Sequence, residues 1–209
     1  MYVYISNLFM KYFETVYFEN LWENEESVSG DGSTLKCSEL YLSFLKGFVT
    51  NNDIKNILDL GCGDFNLMKH FDYEDIKYLG VDLVKELIEK NNVNYGKHNI
   101  KFLNGMISDY EFKEKYDLII CKDVLQHWSN ESVITFLKSI KNYKYCLLIN
   151  DFKNDKYTMP VGFETFNVDI IDGLWTLTDL SIEPYNVVGE YIFEWQACDT
   201  LKKCFLIKK

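Results

Sequence analysis

Short apolar runs alternate with helix-like segments between residues 56 and 152, and this alternation most constrains the fold. Five runs are typical of buried strands: NILDL, YLGVDL, IKFLNG, YDLIICKD and KYCLLIND. Three segments between them have patterns that indicate helices: DFNLMKHF, VKELIEKNNVNY and ESVITFLKSIKN. Strands that alternate with helices predict a parallel sheet with helices packed on both of its faces.

Two helices are predicted before this region and two strands after it. Residues 1–19 carry apolar side chains at helical spacing, and Ser33 is the expected N-cap of a helix that ends near Phe48. The expected inward positions are Ile5, Leu8, Phe9, Tyr12, Phe13 and Val16 in the first helix, and Leu35, Leu42, Leu45 and Phe48 in the second. Near the end, EYIFEWQA and KKCFLIKK are close enough to pair as antiparallel strands.

Composition narrows the class of protein. The 209 residues are 47% hydrophobic and carry a formal net charge of -10, which disfavours nucleic acid as a partner. No apolar run reaches the length of a membrane span, and no signal peptide is recognised, so we expect a cytoplasmic protein, or one of the host cytoplasm if the source is viral. The six cysteines are therefore expected to be free thiols. The oligomeric state of the protein stays open.

A glycine turn follows the first predicted strand. Gly61 and Gly63 are followed by Asn66, at the position where a dinucleotide-binding fingerprint has a third glycine. Asp59 stands inside the strand, where a carboxylate is costly unless it is paired. Asp82 closes the next strand, where an acidic side chain can accept hydrogen bonds from both hydroxyls of a ribose. A purely structural turn remains the alternative.

The stretches ILDLGCGDFNLM, YLGVDLVKELIEKN and YDLIICKDVLQHW resemble the class I S-adenosylmethionine-dependent methyltransferases in motif, order and spacing. The resemblance extends from about Trp22 to the C-terminal end, and ESVSGDGSTL and DGLWTLTDLSIEPY are similar to segments of small members of that family. It implies S-adenosylmethionine as cofactor and a Rossmann-like α/β fold with seven strands, mostly parallel, the last antiparallel.

The resemblance also implies roles for particular residues. Asp59, Gly61 and Gly63 would hold the methionine moiety, Asp82 the ribose, and Leu83 would pack against the adenine. Further cofactor contacts are expected from residues after the third and fourth strands and from the polar leader before the second helix: Met106, Ile107, Lys122, Ser29, Gly30 and Ser33. Met106 stands where many members have an acidic residue for the adenine amino group, so Asn104 or Asp109 is the alternative polar contact.

The leader WENEESVSGDGSTL is predicted to be a lid that closes over the cofactor, and a plain surface loop is the alternative. The segment from about Phe152 to Val188 is expected to cover the acceptor. Its candidate contacts are Phe163, Phe166, Asp172, Trp175, Asp179 and Tyr185.

The acceptor chemistry depends on residues after the fourth and fifth strands. His127 is the candidate base because its unperturbed pKa is near neutrality, and Asp123 and Asp151 are the accompanying catalytic candidates. Asp123 and Asp151, with Asn150, are also the candidate ligands of a Mg²⁺ ion. The structural alternatives are that His127 packs a helix end and that the two carboxylates cap backbone amides.

The sequence therefore predicts one domain: N-terminal helices and lid (1–50), cofactor core (54–151), substrate-side insertion (152–188) and a C-terminal strand pair (189–209). The predicted function is O-methylation of a small molecule or a glycan, with sugars preferred. The alternatives are a cofactor-binding protein with a decayed site, methylation of protein or RNA, and an NAD(P)-dependent oxidoreductase, against which Asn66 counts.

Overall fold

The computed structural model describes residues 11–107, 110, 113–153 and 165–209. It contains seven strands: β1 (Asn56–Leu60), β2 (Lys77–Asp82), β3 (Ile100–Asn104), β4 (Tyr116–Lys122), β5 (Tyr143–Phe152), β6 (Glu190–Ala197) and β7 (Thr200–Lys208). Its helices are α1 (the described residues 11–18), α2 (Leu35–Asn51), α3 (Lys85–Tyr95) and α4 (Asn130–Ser139). Among the residues described, no helix is long and apolar enough to cross a bilayer.

All seven strands form a single sheet in the order β3-β2-β1-β4-β5-β7-β6. Strands β1 to β5 are parallel to their neighbours within that group, and β7 is antiparallel to both β5 and β6. The predicted mostly parallel sheet with an antiparallel end is confirmed. The chain order reverses direction between β1 and β4, and in such sheets ligands bind beyond the carboxyl ends of the strands at that point.

Helices cover both faces of the sheet, because strands buried on both sides expose apolar side chains in both directions. Helix α2 packs Tyr41 and Leu45 on one face, in the same core as Ile57 of β1. Phe13 of α1 and Phe136 of α4 pack on the other face. The expected inward positions Ile5, Leu8 and Phe9 of the first helix lie outside the described residues.

The helix predicted after β1 is absent from the described structure. A single 3-10 turn, Met68–His70, occupies this region. Phe65 has a φ of 61°, and the Asp64 carboxylate accepts a hydrogen bond from the Asn66 backbone N–H at 3.1 Å. A left-handed residue and a local side-chain turn compete with helix formation, which explains the difference.

The start of α2 differs from its prediction by one residue. Thr34 rather than Ser33 is the N-cap, since its hydroxyl accepts a hydrogen bond from the Cys37 N–H at 3.3 Å. The expectation that all six cysteines are free is also wrong. Cys37 forms a disulfide with Cys198, 161 residues away in the chain, because packing of α2 on the β6–β7 hairpin brings the two together.

Candidate active site

The glycine turn after β1 requires both of its glycines. Gly61 has a φ of 80° and Gly63 a φ of 55°, values that residues with a side chain rarely adopt. A Cβ at Gly61 would lie 2.3 Å from Val124 Cγ2, and one at Gly63 would lie 2.3 Å from Ser29 Oγ. The turn is thus packed closely against both the β4 end and the leader.

Asp82 holds this turn from the end of β2. One carboxylate oxygen accepts the Gly63 N–H and the other accepts the Val84 N–H, each at 3.0 Å. Burial raises the pKa of the Asp82 carboxyl. Asn91 on α3 completes the arrangement by donating to the Gly63 carbonyl at 2.8 Å. Sequence analysis missed Asn91, although a buried asparagine on the apolar face of a predicted helix is a usable indication.

A cavity, called the main cavity below, opens above these residues. It lies beyond the carboxyl ends of β1, β2 and β4, as the sheet order predicts. Eleven of the fourteen candidate residues line it: Ser29, Ser33, Gly61, Gly63, Asp82, Leu83, Met106, Ile107, Lys122, Asp123 and His127. Aromatic side chains form much of the remaining wall: Phe13, Tyr17, Trp22 and Trp128.

Three candidate residues lie outside the wall of the main cavity. Asp59 is on the opposite face of β1, beside α2, where its carboxylate accepts the Tyr78 hydroxyl at 2.6 Å. Gly30 packs against the Trp22 ring behind the wall. Asp151 is buried in an ion-pair network at the end of β5.

The expected adenine side of the cavity contains Met106 and Ile107. The Asn104 amide N–H₂ donates to the backbone carbonyls of Asp82, at 3.1 Å, and Leu83, at 2.8 Å. Asn104 therefore orders the end of β2. The other polar alternative, Asp109, lies outside the described residues.

The leader is tied to the glycine turn by side-chain hydrogen bonds. Ser27 Oγ donates to the Asp64 carboxylate at 2.8 Å, and Ser29 Oγ accepts the Asp64 N–H at 2.9 Å. Asn66 Nδ2 donates to Glu26 Oε1 at 2.9 Å and to the Ser33 carbonyl at 3.0 Å. The side chain at the third-glycine position therefore fastens the leader over the turn, a role that sequence analysis did not assign.

His127 lies in a short 3-10 turn after β4, and it lines the main cavity, as Asp82 does. Its ring contacts Phe13 and Trp22, with centroid distances of 5.9 and 6.4 Å. Nδ1 is 3.0 Å from the Leu174 carbonyl, and because a carbonyl only accepts, Nδ1 carries the proton. In the neutral ring Nε2 then carries the lone pair. Burial lowers the pKa of His127, which favours this neutral form at pH 7.

Two lysines and two aspartates form a buried network at the ends of β4, β5 and β7. Lys202 Nζ is 2.6 Å from Asp123 Oδ1 and 2.5 Å from Asp151 Oδ1. Lys122 Nζ is 2.5 Å from Asp123 Oδ2 and donates to the Gly32 carbonyl at 2.8 Å. Against the effect of burial, the two ammonium groups hold the pKa of Asp123 well below its usual value.

In this network the candidate ligands of a magnesium ion are already paired with lysines. Asp123 and Asp151 do lie close together, but the Lys202 ammonium is placed between their carboxylates and compensates their charge. Within the described ranges, no group of three or more acidic, histidine or cysteine side chains could hold a metal ion. Mg²⁺ ligation by these aspartates, the alternative to a metal-free site, is therefore not supported.

The second oxygen of Asp151 is also occupied. It accepts hydrogen bonds from Gln126 Nε2 at 3.0 Å and from Trp175 Nε1 at 3.2 Å. The Gln126 carbonyl in turn accepts the Asp151 backbone N–H at 2.8 Å. Sequence analysis missed both Gln126 and Lys202.

The expected acceptor-covering residues after β5 have other contacts. Asp172 accepts the Ser132 hydroxyl at 2.8 Å, Asp179 accepts the Tyr191 hydroxyl at 2.8 Å, and the Tyr185 hydroxyl donates to Asn130 at 2.6 Å. The remaining aromatics are also outside the cavity wall: Phe166 packs on Phe152 and Trp175 donates to Asp151, while Phe163 lies outside the described residues. The aromatic wall comes instead from α1, the leader and Trp128.

Comparisons with known proteins agree with this geometry. Residues 57–143 match a family described as a methyltransferase domain. The ubiquinone biosynthesis O-methyltransferase of Rickettsia canadensis is 27% identical over 134 residues, covering 59% of this chain and 56% of that protein. The chain thus spans about half the length of the curated relatives that it matches.

Solved structures show the same fold at low sequence identity. One of them is magnesium protoporphyrin IX methyltransferase from Synechocystis PCC 6803, which was solved with bound S-adenosylhomocysteine. It aligns with a TM-score of 0.64 at 11% identity, and the alignment covers 96% of this chain and 98% of that one. The N-terminal domain of EvdMO1, solved in the presence of S-adenosylhomocysteine and D-fucose, aligns with a TM-score of 0.56 at 13% identity, with coverages of 80% and 82%. The central part of the chain is therefore similar to the methyltransferase-domain family, and the strand order is that of the fold which these solved methyltransferases share.

Proposed function

We propose that the protein transfers a methyl group from S-adenosylmethionine to a hydroxyl of a small molecule, with His127 as the base. One observation carries this proposal: a single cavity is lined both by the glycine turn with Asp82 and by a histidine whose Nδ1 is held by the Leu174 carbonyl. Binding both reactants in one cavity is what a direct displacement requires.

The residues present fit the cofactor. Asp82 is a buried carboxylate at the cavity wall, suited to the ribose hydroxyls, and Leu83, Met106 and Ile107 offer an apolar surface to the adenine. The cofactor has no pyrophosphate, so Asn66 in place of a third glycine is no obstacle. When bound, the cofactor supplies an activated methyl group on a cationic sulfur.

The chain supplies position, proton transfer and exclusion of water. With Nδ1–H held by the Leu174 carbonyl, Nε2 of His127 can accept the hydroxyl proton as the acceptor oxygen attacks. The leader, fastened over the glycine turn, covers the cofactor side, and its opening and closing as a lid remains a proposal.

The acceptor is proposed from the cavity wall. Phe13, Tyr17, Trp22 and Trp128 would pack against one face of a ring, either a sugar or a phenol. The name of the Rickettsia relatives supports O-methylation of a small molecule. Our narrower proposal is that the acceptor is a sugar, and the D-fucose in the EvdMO1 structure supports it. A screen of sugars, nucleotide sugars and phenols for methyl incorporation tests the choice.

We expect Asp82→Ala to weaken binding of S-adenosylhomocysteine by about 1.5–3 kcal/mol, or roughly 10- to 150-fold, because it removes a charged acceptor for the ribose. Calorimetric titration of wild type and Asp82→Ala with S-adenosylhomocysteine measures this difference. NAD is titrated as well, because it is the ligand that the oxidoreductase alternative requires. Asp82→Asn keeps an acceptor oxygen and should lie between the two. An unchanged affinity in Asp82→Ala would remove Asp82 from the ribose site.

We expect a chelator to leave methyl transfer unchanged. The Lys122 and Lys202 ammonium groups already balance the charges of Asp123 and Asp151, so a divalent cation has no free dicarboxylate site to occupy there. Activity is measured before and after EDTA and again after Mg²⁺ is added. Loss with EDTA and recovery with Mg²⁺ would favour the metal mechanism over the histidine mechanism.

A further inference from the structure

The segment that carries Leu174 runs beside the 3-10 turn that carries His127, and backbone hydrogen bonds join the two. The Gly173 N–H donates to the His127 carbonyl at 2.7 Å, and the Thr176 N–H donates to the Gln126 carbonyl at 2.9 Å. Leu174 lies between these two bonds in the chain, and its carbonyl oxygen is 3.0 Å from His127 Nδ1. The orientation of the His127 ring therefore depends on the position of this segment.

Trp175, in the same segment, connects it to a buried carboxylate. The indole Nε1–H donates to Asp151 Oδ2 at 3.2 Å, and Gln126 Nε2 in the 3-10 turn donates to the same oxygen at 3.0 Å. Asp151 is buried, and its other oxygen is 2.5 Å from the Lys202 ammonium. One buried, charge-paired carboxylate thus holds both the segment and the turn.

Neither Trp175 nor Asp151 is among the described residues that line the main cavity. Both are therefore placed to act through another residue, and the Leu174 carbonyl is the group that reaches the ring. A carbonyl only accepts hydrogen bonds, so its contact keeps the proton of the neutral ring on Nδ1. Without that contact, the proton would exchange between the two ring nitrogens.

We propose that Trp175 is a positioning residue for His127. Its hydrogen bond to Asp151 fixes the neighbouring Leu174 carbonyl, and that carbonyl keeps the lone pair of the ring on Nε2. This inference rests on the proposed function, because it concerns the base of the same reaction. It assigns Asp151 and Trp175 to the support of the base, in place of direct contact with the acceptor.

¹⁵N NMR of the histidine side chains in the ligand-free protein tests this assignment. The chain has three histidines, so loss of one set of signals in His127→Ala identifies those of His127. At about pH 8, where histidine is ordinarily neutral, wild-type His127 should be the Nδ1–H tautomer alone. Trp175→Phe keeps an aromatic ring at a half-buried position but removes the N–H donor. In this variant we expect both tautomers to be populated and their nitrogen shifts to average.

Methyl transfer gives a second measurement, with an acceptor identified by the screen. Turnover of Trp175→Phe should fall roughly tenfold, the effect of losing one hydrogen bond to a charged group, while affinity for S-adenosylhomocysteine should change less than about twofold. Burial lowers the pKa of His127 and the bond to Leu174 acts in the opposite sense, so loss of this bond should move the acidic limb of kcat/KM to lower pH. The charged groups that act on the ring are the same in both proteins: Asp123, Asp151 and Lys202.

Trp195→Phe is the matched control. The Trp195 indole also donates one hydrogen bond, to the Cys37 carbonyl at 3.1 Å, but it lies in the core that α2 forms on the other face of the sheet. This variant should have a lower melting temperature and keep both the His127 tautomer and the pH profile. A single Nδ1–H tautomer in Trp175→Phe would overturn the inference, as would an acidic limb that stays in place. If the spectra change as expected but wild type methylates no acceptor, the proposed function fails and the positioning of His127 stands.

Discussion

We expect Lys202→Met to lower the free energy of unfolding by about 3–5 kcal/mol, the loss typical of removing one partner from a buried ion pair. Lys202 is 4% exposed, and its ammonium is the shared partner of Asp123 and Asp151. Methionine nearly preserves the length of the side chain, so the effect is that of charge. Chemical denaturation, with the m-value compared between proteins, measures it.

The adjacent Lys203→Met is the control for this substitution. Lys203 lies on the same strand but pairs with Glu194, a side chain that is 61% exposed, so its loss should change the free energy of unfolding by less than about 1 kcal/mol. If Lys202→Met and Lys203→Met had the same free energy of unfolding, Lys202 would not be the cation that stabilises the charged Asp123 and Asp151 carboxylates.

The effect should also depend on pH. In wild type the pKa of Asp123 is lowered, so the stability that this carboxylate contributes is present above its unfolded value of 3.8 and is lost as the pH falls through the folded value. In Lys202→Met the carboxylates lose a cation and accept protons more readily. The difference in stability between wild type and variant should therefore shrink as the pH falls from 7 towards 4.

We expect His127→Ala to reduce turnover by about 10²–10⁴-fold, the usual contribution of a general base. Binding of S-adenosylhomocysteine should be largely kept, because Asp82 and the glycine turn are unchanged. His127→Gln should be similarly inactive, since an amide can donate to the Leu174 carbonyl but is not a base. Single-turnover rates with an acceptor identified by the screen measure the chemical step.

The pH profile separates a base from a packing residue. Burial lowers the pKa of His127 from 6.5, so wild-type kcat/KM should be level near neutrality and fall at pH values below 6.5 as the ring is protonated. That acidic limb should be absent from the residual activity of His127→Ala. The exposed His70 provides the control, and His70→Ala should keep both rate and profile. Normal turnover in His127→Ala would remove this residue from the mechanism.

The strand pattern was predictable because buried parallel strands are continuous apolar runs that only a covered sheet accommodates. All seven predicted strands form, with β6 and β7 as the antiparallel pair. The helix after β1 was not predictable from the same pattern. Its absence depends on Asp64 and Asn66, whose side chains form hydrogen bonds with the local backbone and with the leader.

The position of the site was also predictable, since carboxyl ends of parallel strands meet at one edge. The glycine spacing and Asp82 predicted a ligand site there, and most candidate residues line a cavity at that edge. Aromatic contacts were expected after β5, whereas the described aromatic side chains that line the cavity come from α1, the leader and Trp128, because an aromatic run is compatible with both core and cavity. Phe166 and Tyr185 pack elsewhere, whereas Tyr17 and Trp22 face the cavity.

By itself, the sequence of this chain determined the strands, their two-sided covering and the glycine turn followed by Asp82, since each is signalled by a pattern within one short segment of the chain. Only the tertiary structure decided that Lys202 lies between Asp123 and Asp151, which are 79 and 51 residues away. It alone also placed Asp59 beside the Tyr78 hydroxyl and outside the wall of the main cavity. Charges and hydroxyls act over a few ångströms, and the sequence does not state which distant groups folding brings within that range.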